Sequence, residues 1–385
     1  MAVEIIPVET QAELKRFIRV PMRLSKKDPS WVAPLIMERL DALSKKVNPF
    51  FQHADAQFWL ARKDGRDVGR ISAQIDHLAK TDPAAPVGNF GMIAAEDDPE
   101  VFEILFKTAE DWLRARGCVL AMGPFNLSIN EEVGLLIDGF DTPPMFMMGH
   151  DQPYTATRIE ALGYAKAKDV YAYISEEFAF SRRIEERINR PLPAGVSMRP
   201  VKMKDFDREV VTMVDILNDA WSENWGATPV TEAETKHLAN SLKLILIPDW
   251  IWFMDIDGET AAFIVLLPNL NDAIRDLDGK LLPFGWAKLI WRLKFQPVRG
   301  GRVPLMGVKK KFTRDRRGMM APFLLIDAIR GKSVTRGLKR AEYSWILEDN
   351  RPMRHILEGL SAYIYKTYRI YQKQIAPASG DTPTS

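Results

Sequence analysis

Cysteine occurs once among the 385 residues, as Cys118, so neither a disulfide framework nor a cysteine-rich metal site can be built. Cys118 lies in the apolar run 118–122, where burial is expected rather than nucleophilic use. Histidine is also scarce, with five residues and no metal-ligand spacing, so no metal is expected. An excess of charge of one sign is missing too. The 53 basic residues face 51 acidic ones, which leaves no broad basic surface for nucleic acid. No run of ~18 apolar residues is present to span a bilayer. Residues 1–16 lack the basic and apolar regions of a signal peptide, so a cytoplasmic protein is expected. There is no Walker lysine pattern, no G-x-G-x-x-G and no serine elbow.

What the chain does carry is a generous set of large apolar side chains, ten Trp and nineteen Phe, and a length that suits two cores. Amphipathic spacing predicts helices at 10–20, 34–46, 98–116, 153–162 and 179–188, then at 204–220, 231–247, 284–295, 319–336 and 350–360. Asp64-Gly65 and Asp257-Gly258 sit between alternating runs and mark hairpins over 58–73 and 250–267. Further strands are expected at 89–94, 118–123, 145–150 and 163–175, and at 303–312, 341–347 and 361–371. Both halves therefore follow one order. Helices precede an Asp-Gly hairpin, a strand, a helix closed by Arg-Gly (Arg116-Gly117, Arg336-Gly337), a strand leading to Asn126 or Asn350, a helix and a last strand. The order points to two copies of one α/β unit, 1–190 and 191–375, with 376–385 a polar, disordered tail.

Five stretches can carry chemistry. In the first, 302–326, a strand runs into the cationic turn with Arg314, Arg316 and Arg317, and Gly318 opens a helix. Amide groups at a helix start and guanidinium groups suit a phosphate, although a solvated basic turn would read the same way. The second is GPFNLSINEEVG at 123–134. If extended, it projects Asn126, Ser128, Asn130 and Glu132 from one face, able to bind a polar head group and offer a base; a loop holding its own turns is the alternative. His150, before a helix opened by Pro153, is a candidate base near neutral pH, or a local hydrogen-bonding residue. Trp221 and Trp225 in WSENWG can wall a pocket or fill a core. The helix in 283–295, PFGWAKLIWRLKF, is apolar on two sides with basic residues between, as in a buried helix or one lying on an anionic membrane.

Several pieces together resemble the bacterial ceramide synthases, GNAT-related acyltransferases. They are GPFNLSINEEVG at 123–134, LIDGFDTPPMFMMGHDQPY at 136–154, AWSENWG at 220–226, LLPNLNDA at 266–273, SWILEDNRPMRHILEGL at 344–360 and YKTYRIYQK at 365–373. The resemblance implies an α/β fold of two tandem GNAT-like units, mixed sheets flanked by helices. It also implies transfer of a long-chain acyl group from acyl-CoA or an acyl carrier protein to the amine of a sphingoid base such as 3-ketosphinganine.

On this resemblance DRRGMMA at 315–321 approximates the pyrophosphate turn Q/R-x-x-G-x-G/A, with Gly318 as its first glycine. Gly307, Val308 and Lys309 would lie beside pantetheine, and Arg314, Arg316, Arg317, Gly318 and Met319 would hold the phosphates. Asn350 takes the place of an Asn that follows the next strand. The usual general-acid tyrosine is replaced by Leu357, leaving Tyr154, Tyr363, Tyr365 or water to protonate the thiolate. The expected site is then His150, Glu132 and Tyr154 for catalysis and Asn126, Ser128, Asn130, Trp221 and Trp225 for the acceptor. Residues 283–295 would touch the membrane. A tandem GNAT enzyme for another amine, such as an aminoacyl-tRNA-dependent ligase, and a non-catalytic lipid or CoA sensor are the alternatives.

Overall fold

Trp59 and Ala61 are buried in one apolar cluster and Phe58 and Leu60 in another, the period-two pattern of a strand covered on both faces. The computed structural model describes residues 2–243 and 245–375, so the expected tail at 376–385 lies outside the described residues. The chain forms two compact units. Unit 1 holds the residues up to Val170, Asp278–Lys280 and those from Thr367 onward; unit 2 holds Tyr171–Leu277 and Leu281–Lys366.

The first half runs β1 (Glu4–Pro7), α1 (Gln11–Leu24), α2 (Ile36–Ala42), β2 (Ala54–Lys63), β3 (Arg66–Asp76), β4 (Val87–Ala95) and α3 (Pro99–Arg114). It continues with β5 (Leu120–Gly123), β6 (Phe125–Asn126), β7 (Glu132–Val133), β8 (Leu135–Asp138), α4 (Thr155–Ala161) and β9 (Ala165–Ser175). The second half runs α5 (Arg182–Ile188), β10 (Val196–Pro200), α6 (Phe206–Trp221), α7 (Glu232–Leu242), β11 (Ile251–Ile256), β12 (Glu259–Pro268), α8 (Leu270–Ile274) and α9 (Gly285–Phe295). It ends with β13 (Gly300–Val308), α10 (Arg316–Met319), α11 (Ala321–Thr335), β14 (Arg340–Leu347), α12 (Arg351–Glu358) and β15 (Tyr363–Gln374). The chain leaves unit 1 within β9 and returns to it within β15.

In unit 1 the strands pair in the order β1-β2-β3-β4-β5, and the Tyr371–Gln374 end of β15 pairs with β5; β4 and β5 are parallel and the rest antiparallel. In unit 2 the order is β10-β11-β12-β13-β14, with β13 and β14 parallel. Both Asp-Gly hairpins form as expected, with Asp64, Gly65, Asp257 and Gly258 all at positive φ. Capping boxes start α1 (Thr10, Glu13) and α7 (Thr231, Glu234). The shared order holds, and each half also opens on a short strand, β1 or β10, that the pattern does not announce. Each is half-exposed, so it lacks a buried apolar face to read.

Two insertions break the repeat. Unit 1 carries β6–β8 and a loop between β5 and α4, so Asn126 ends a strand inside this insertion, whereas Asn350 leads straight into α12. Residues 145–150, expected as a strand, are turn and coil there, with Met147 at a φ of 63°. Unit 2 carries α8 and α9 between β12 and β13.

Gly91 of β4 faces the carbonyl of Phe125 so closely that a Cβ would lie 1.8 Å from that oxygen, whereas a Cβ on Gly331 in α11 would meet nothing within 4 Å. Gly91→Ala should cost ~2 kcal/mol or more, and Gly331→Ala should be neutral or stabilising by up to ~1 kcal/mol. Urea unfolding midpoints measure both.

Candidate active site

In unit 2 the register of β12 with β13 jumps from Leu267↔Arg302 to Val265↔Leu305, a β-bulge at Val303–Pro304. Pro304 has no N–H to donate. The parallel pairing of β13 with β14 ends at that point, at Val303↔Tyr343. From Leu305 to Val308 β13 pairs with β12 alone among the described strands. Its other edge is a backbone ladder that an amide-bearing chain can join as a strand would. Gly307 lies on this stretch. A Cβ there would be 3.1 Å from Ile216 and 3.6 Å from Ala220, so glycine lets α6 cross close over the edge. Trp221 ends α6, and Trp225 lies in the loop beyond; both are half-buried.

After β13 the chain makes the basic turn. Gly318 is required, because a Cβ would sit 2.0 Å from the Phe312 carbonyl oxygen. Asp315 caps α10 by accepting from the Arg317 amide at 2.7 Å. Arg317 in turn clamps Asp315 and Asp257, each at 2.8 Å, which raises its own pKa and ties the turn to the β11–β12 hairpin. Lys309 reaches Glu259 at 2.9 Å, Lys311 contacts the same carboxylate, and Lys310 reaches Glu223 at 2.7 Å. Most of the positive charge is therefore neutralised in place. Arg314 and Arg316 are exposed and hold no side-chain hydrogen bond or ion pair to another described residue. Met319 is exposed beside them. Asn350 caps α12, accepting from the Met353 amide at 3.2 Å.

Immediately before the bulge lies a buried network that sequence reasoning missed. Arg302 is 1% exposed and Glu342 0%. The Arg302 Nε donates to Ser344 Oγ at 2.8 Å and lies 3.3 Å from Glu342; Ser344 donates to Glu342 at 2.6 Å, and the Tyr365 hydroxyl donates to it as well. Burial pushes the Glu342 carboxyl up, opposed chiefly by Arg302. The available signal was a charge in the middle of each of two otherwise apolar strands.

Unit 1 has the same bulge, at Met92–Ile93 of β4, but it is filled. Asn126 Oδ1 accepts from the Met92 amide at 2.7 Å, and Gln74 Nε2 donates to the Phe125 carbonyl at 2.6 Å. The turn before α3 is acidic: Glu96, Asp97 and Asp98 pair with Arg23, Arg158 and Lys63 at 2.6–2.7 Å.

The row expected over 126–132 is corrected. Asn126 and Glu132 lie on the two arms of the β6–β7 hairpin, because Leu127 turns at a φ of 84°. Asn126 Nδ2 donates to Glu132 Oε2 at 2.8 Å, and Arg39 lies 3.3 Å from the other oxygen. Ser128 accepts from the Asn130 amide at 3.1 Å and shapes the turn. Asp151, which the sequence did not single out, accepts from the Leu136 amide at 2.9 Å; burial, with the charge of Glu132 added, pushes its carboxyl to about 7. His150 is buried, with Nε2 at 3.0 Å from Asp28 and an edge-to-face contact with Phe140. Tyr154 donates to the Ala95 carbonyl at 2.7 Å and packs on Phe102, and burial pushes its hydroxyl to about 12. Among the described residues no group of three His, Cys, Asp or Glu can hold a metal, and no helix is long and apolar enough to cross a membrane.

Two repeats, each with a bulged strand, a helix and a parallel strand, define the tandem GNAT fold. A tandem GNAT protein from the clavulanic acid biosynthesis pathway superposes with a TM-score of 0.58 over 98% of this chain and 100% of that one, at 11% identity. No protein-family model matches. The chain is 57% identical over 373 residues to the "Bacterial ceramide synthase" of Caulobacter vibrioides, covering 96% of this chain and 97% of the relative. It is 45% identical to "Protein YghO" of Escherichia coli over 365 residues, 94% of this chain and 93% of the relative. The chain belongs to the bacterial ceramide synthase family.

The Asp151 carboxyl binds its proton more tightly folded, at about 7, than unfolded, at ~3.9. Its burial therefore costs nothing below pH ~4, and the cost grows until pH passes the folded value. Asp151→Asn, which keeps an oxygen for the Leu136 amide, should gain stability on the wild type across that window, on the order of 4 kcal/mol by pH 8. Urea titrations at pH 4 and 8 check it.

Proposed function

We propose that this chain is an N-acyltransferase that moves a long-chain fatty acyl group from acyl-CoA to the amine of a sphingoid base such as 3-ketosphinganine, forming an (oxo)ceramide. The observation that carries the reading is the parting of β13 from β14 after the bulge, followed by a turn with two uncommitted arginines. The amides of pantetheine pair with Leu305–Val308, and Lys309, Gly318 and Met319 line the turn. Arg314 and Arg316 meet the phosphates, with Arg317 holding the turn in shape. Unit 2 alone takes the donor, since in unit 1 Asn126 and Phe125 occupy the bulge and an acidic turn repels phosphate. An acyl carrier protein presents the same pantetheine arm and is the other donor to test.

The acceptor amine arrives as an ammonium and must lose a proton before its lone pair attacks the thioester carbonyl; the tetrahedral intermediate then expels the thiolate, which is protonated. Glu132 and Asp151 supply negative charge for the ammonium, and Asp151 has the proton affinity of a base working near neutral pH. Asn126 and Arg39 orient Glu132. Asn130 and Ser128 shape the hairpin that carries it. His150, held by Asp28, positions the loop leading to Asp151 rather than taking the proton itself. The Tyr154 hydroxyl is engaged by Ala95, so the proton for the thiolate comes from another donor. Trp221 and Trp225 flank the donor edge, and Asn350 keeps α12 capped behind β14. A lipid amine resides in a bilayer, so an enzyme of this kind works at a membrane surface.

Purified protein with palmitoyl-CoA or a palmitoylated carrier protein and a sphingoid base should yield the amide by mass spectrometry; no amide with either donor would sink the reading. Arg314→Ala with Arg316→Ala should raise the donor KM ~10-fold or more with kcat nearly unchanged, and calorimetry should count one CoA per chain. Glu132→Gln and Asp151→Asn should instead lower kcat by ~100-fold or more while donor binding stays intact.

A further inference from the structure

Helix α9 has no buried residue. Phe284 is 78% exposed, Trp291 54% and Phe295 72%, and Leu282, Trp286 and Ile290 are exposed as well. At ~100° per residue, Trp286, Ile290, Trp291 and Phe295 fall within one half of the helix circumference. The opposite side is the one that meets the protein: Leu289, Arg292 and Leu293 are half-buried, and Arg292 donates to the Ala273 carbonyl at 2.7 Å. Asp276 holds Lys288 and Arg292, so the helix is fixed with its aromatic side outward.

The core does not need this side. The corresponding link in unit 1, 77–86 between β3 and β4, contains no helix. A contiguous exposed face of six large apolar side chains marks a contact surface. Its charge identifies the partner. Residues 281–299 contain Lys288, Arg292, Lys294 and Arg299 and no acidic residue. Lys294 lies in the middle of the exposed half and has no side-chain ion pair to a described residue. Indole and phenyl rings interleaved with cations suit the headgroup zone of a bilayer, where the rings sit at the apolar boundary and lysine snorkels to phosphate. At eleven residues the helix is too short to span and lies in the plane.

We propose that α9 and its flanks, residues 281–299, dock this protein on an anionic lipid bilayer through Leu282, Phe284, Trp286, Ile290, Trp291 and Phe295. The proposal rests on the reading of the acceptor as a membrane lipid, and it also places the insertion just before β13, the strand of the proposed donor edge.

The test is sedimentation of the full chain with phosphatidylcholine vesicles and with vesicles carrying about one third phosphatidylglycerol. The wild type should pellet with the anionic vesicles and be released by salt. The triple variant Trp286→Ser, Trp291→Ser, Phe295→Ser should bind at least ~10-fold more weakly, with an unchanged circular dichroism spectrum. Brominated lipids should quench tryptophan fluorescence in the wild type and far less in the variant. If the protein is an acyltransferase, the variant should show a raised acceptor KM in vesicles and an unchanged one in detergent micelles. Absence of turnover would defeat the functional reading and leave the vesicle result standing. Wild type that ignores anionic vesicles, or a variant that binds them equally, overturns the proposal. So does a wild-type dimer that the variant abolishes without vesicle binding, which would assign the face to a second copy.

Discussion

A one-residue bulge in the fourth strand of each repeat decides what the two halves can do. An extra residue opposite β12 turns β13 away from its parallel neighbour, and proline at that point withholds the amide that would rejoin them. The exposed edge that results would be a liability on a free sheet. Here it is short, and α6 crosses it at Gly307. The buried Arg302–Glu342 pair braces the two strands just before they part; both ions lose water there, and the Ser344 hydroxyl serves both while the Tyr365 hydroxyl serves Glu342.

The same bulge in unit 1 is closed by its own chain. An insertion of about thirty residues folds β6 back along β4, and the side chain of Asn126 takes the Met92 amide. The two units thus share one frame, and the insertion in unit 1 carries Glu132 and Asp151, with Arg39 of α2 beside Glu132. The electrostatics diverged in step. Where unit 2 has a turn with two exposed, uncommitted arginines, unit 1 has Glu96, Asp97 and Asp98.

Much of the fold was legible because it rests on local rules. The Asp-Gly turns, the capping box at Thr231 and the period of α3 are set within a few residues, and the matching order exposed the repeat. The site was legible in part. Asn126 and Glu132 do meet, but across a hairpin, since a positive φ at Leu127 cannot be read from alternation alone. Three arginines at 314–317 looked equivalent. Their difference comes from Asp257, about sixty residues away, which claims Arg317.

What the sequence by itself determined is the α/β class, the doubled order of elements and the family, because hydrophobic period, turn chemistry and shared motifs are properties of short stretches. What only the tertiary structure decided is which charges remain available, which bulge stays open and which carboxyl is raised. Burial and ion pairing depend on partners distant in the chain: burial raises the proton affinity of Asp151, with the Leu136 amide opposing it and Glu132 adding to it, and Glu259 and Glu223 neutralise the lysines that made the turn look uniformly basic. The field at a side chain is a sum over neighbours in space, and folding alone selects them.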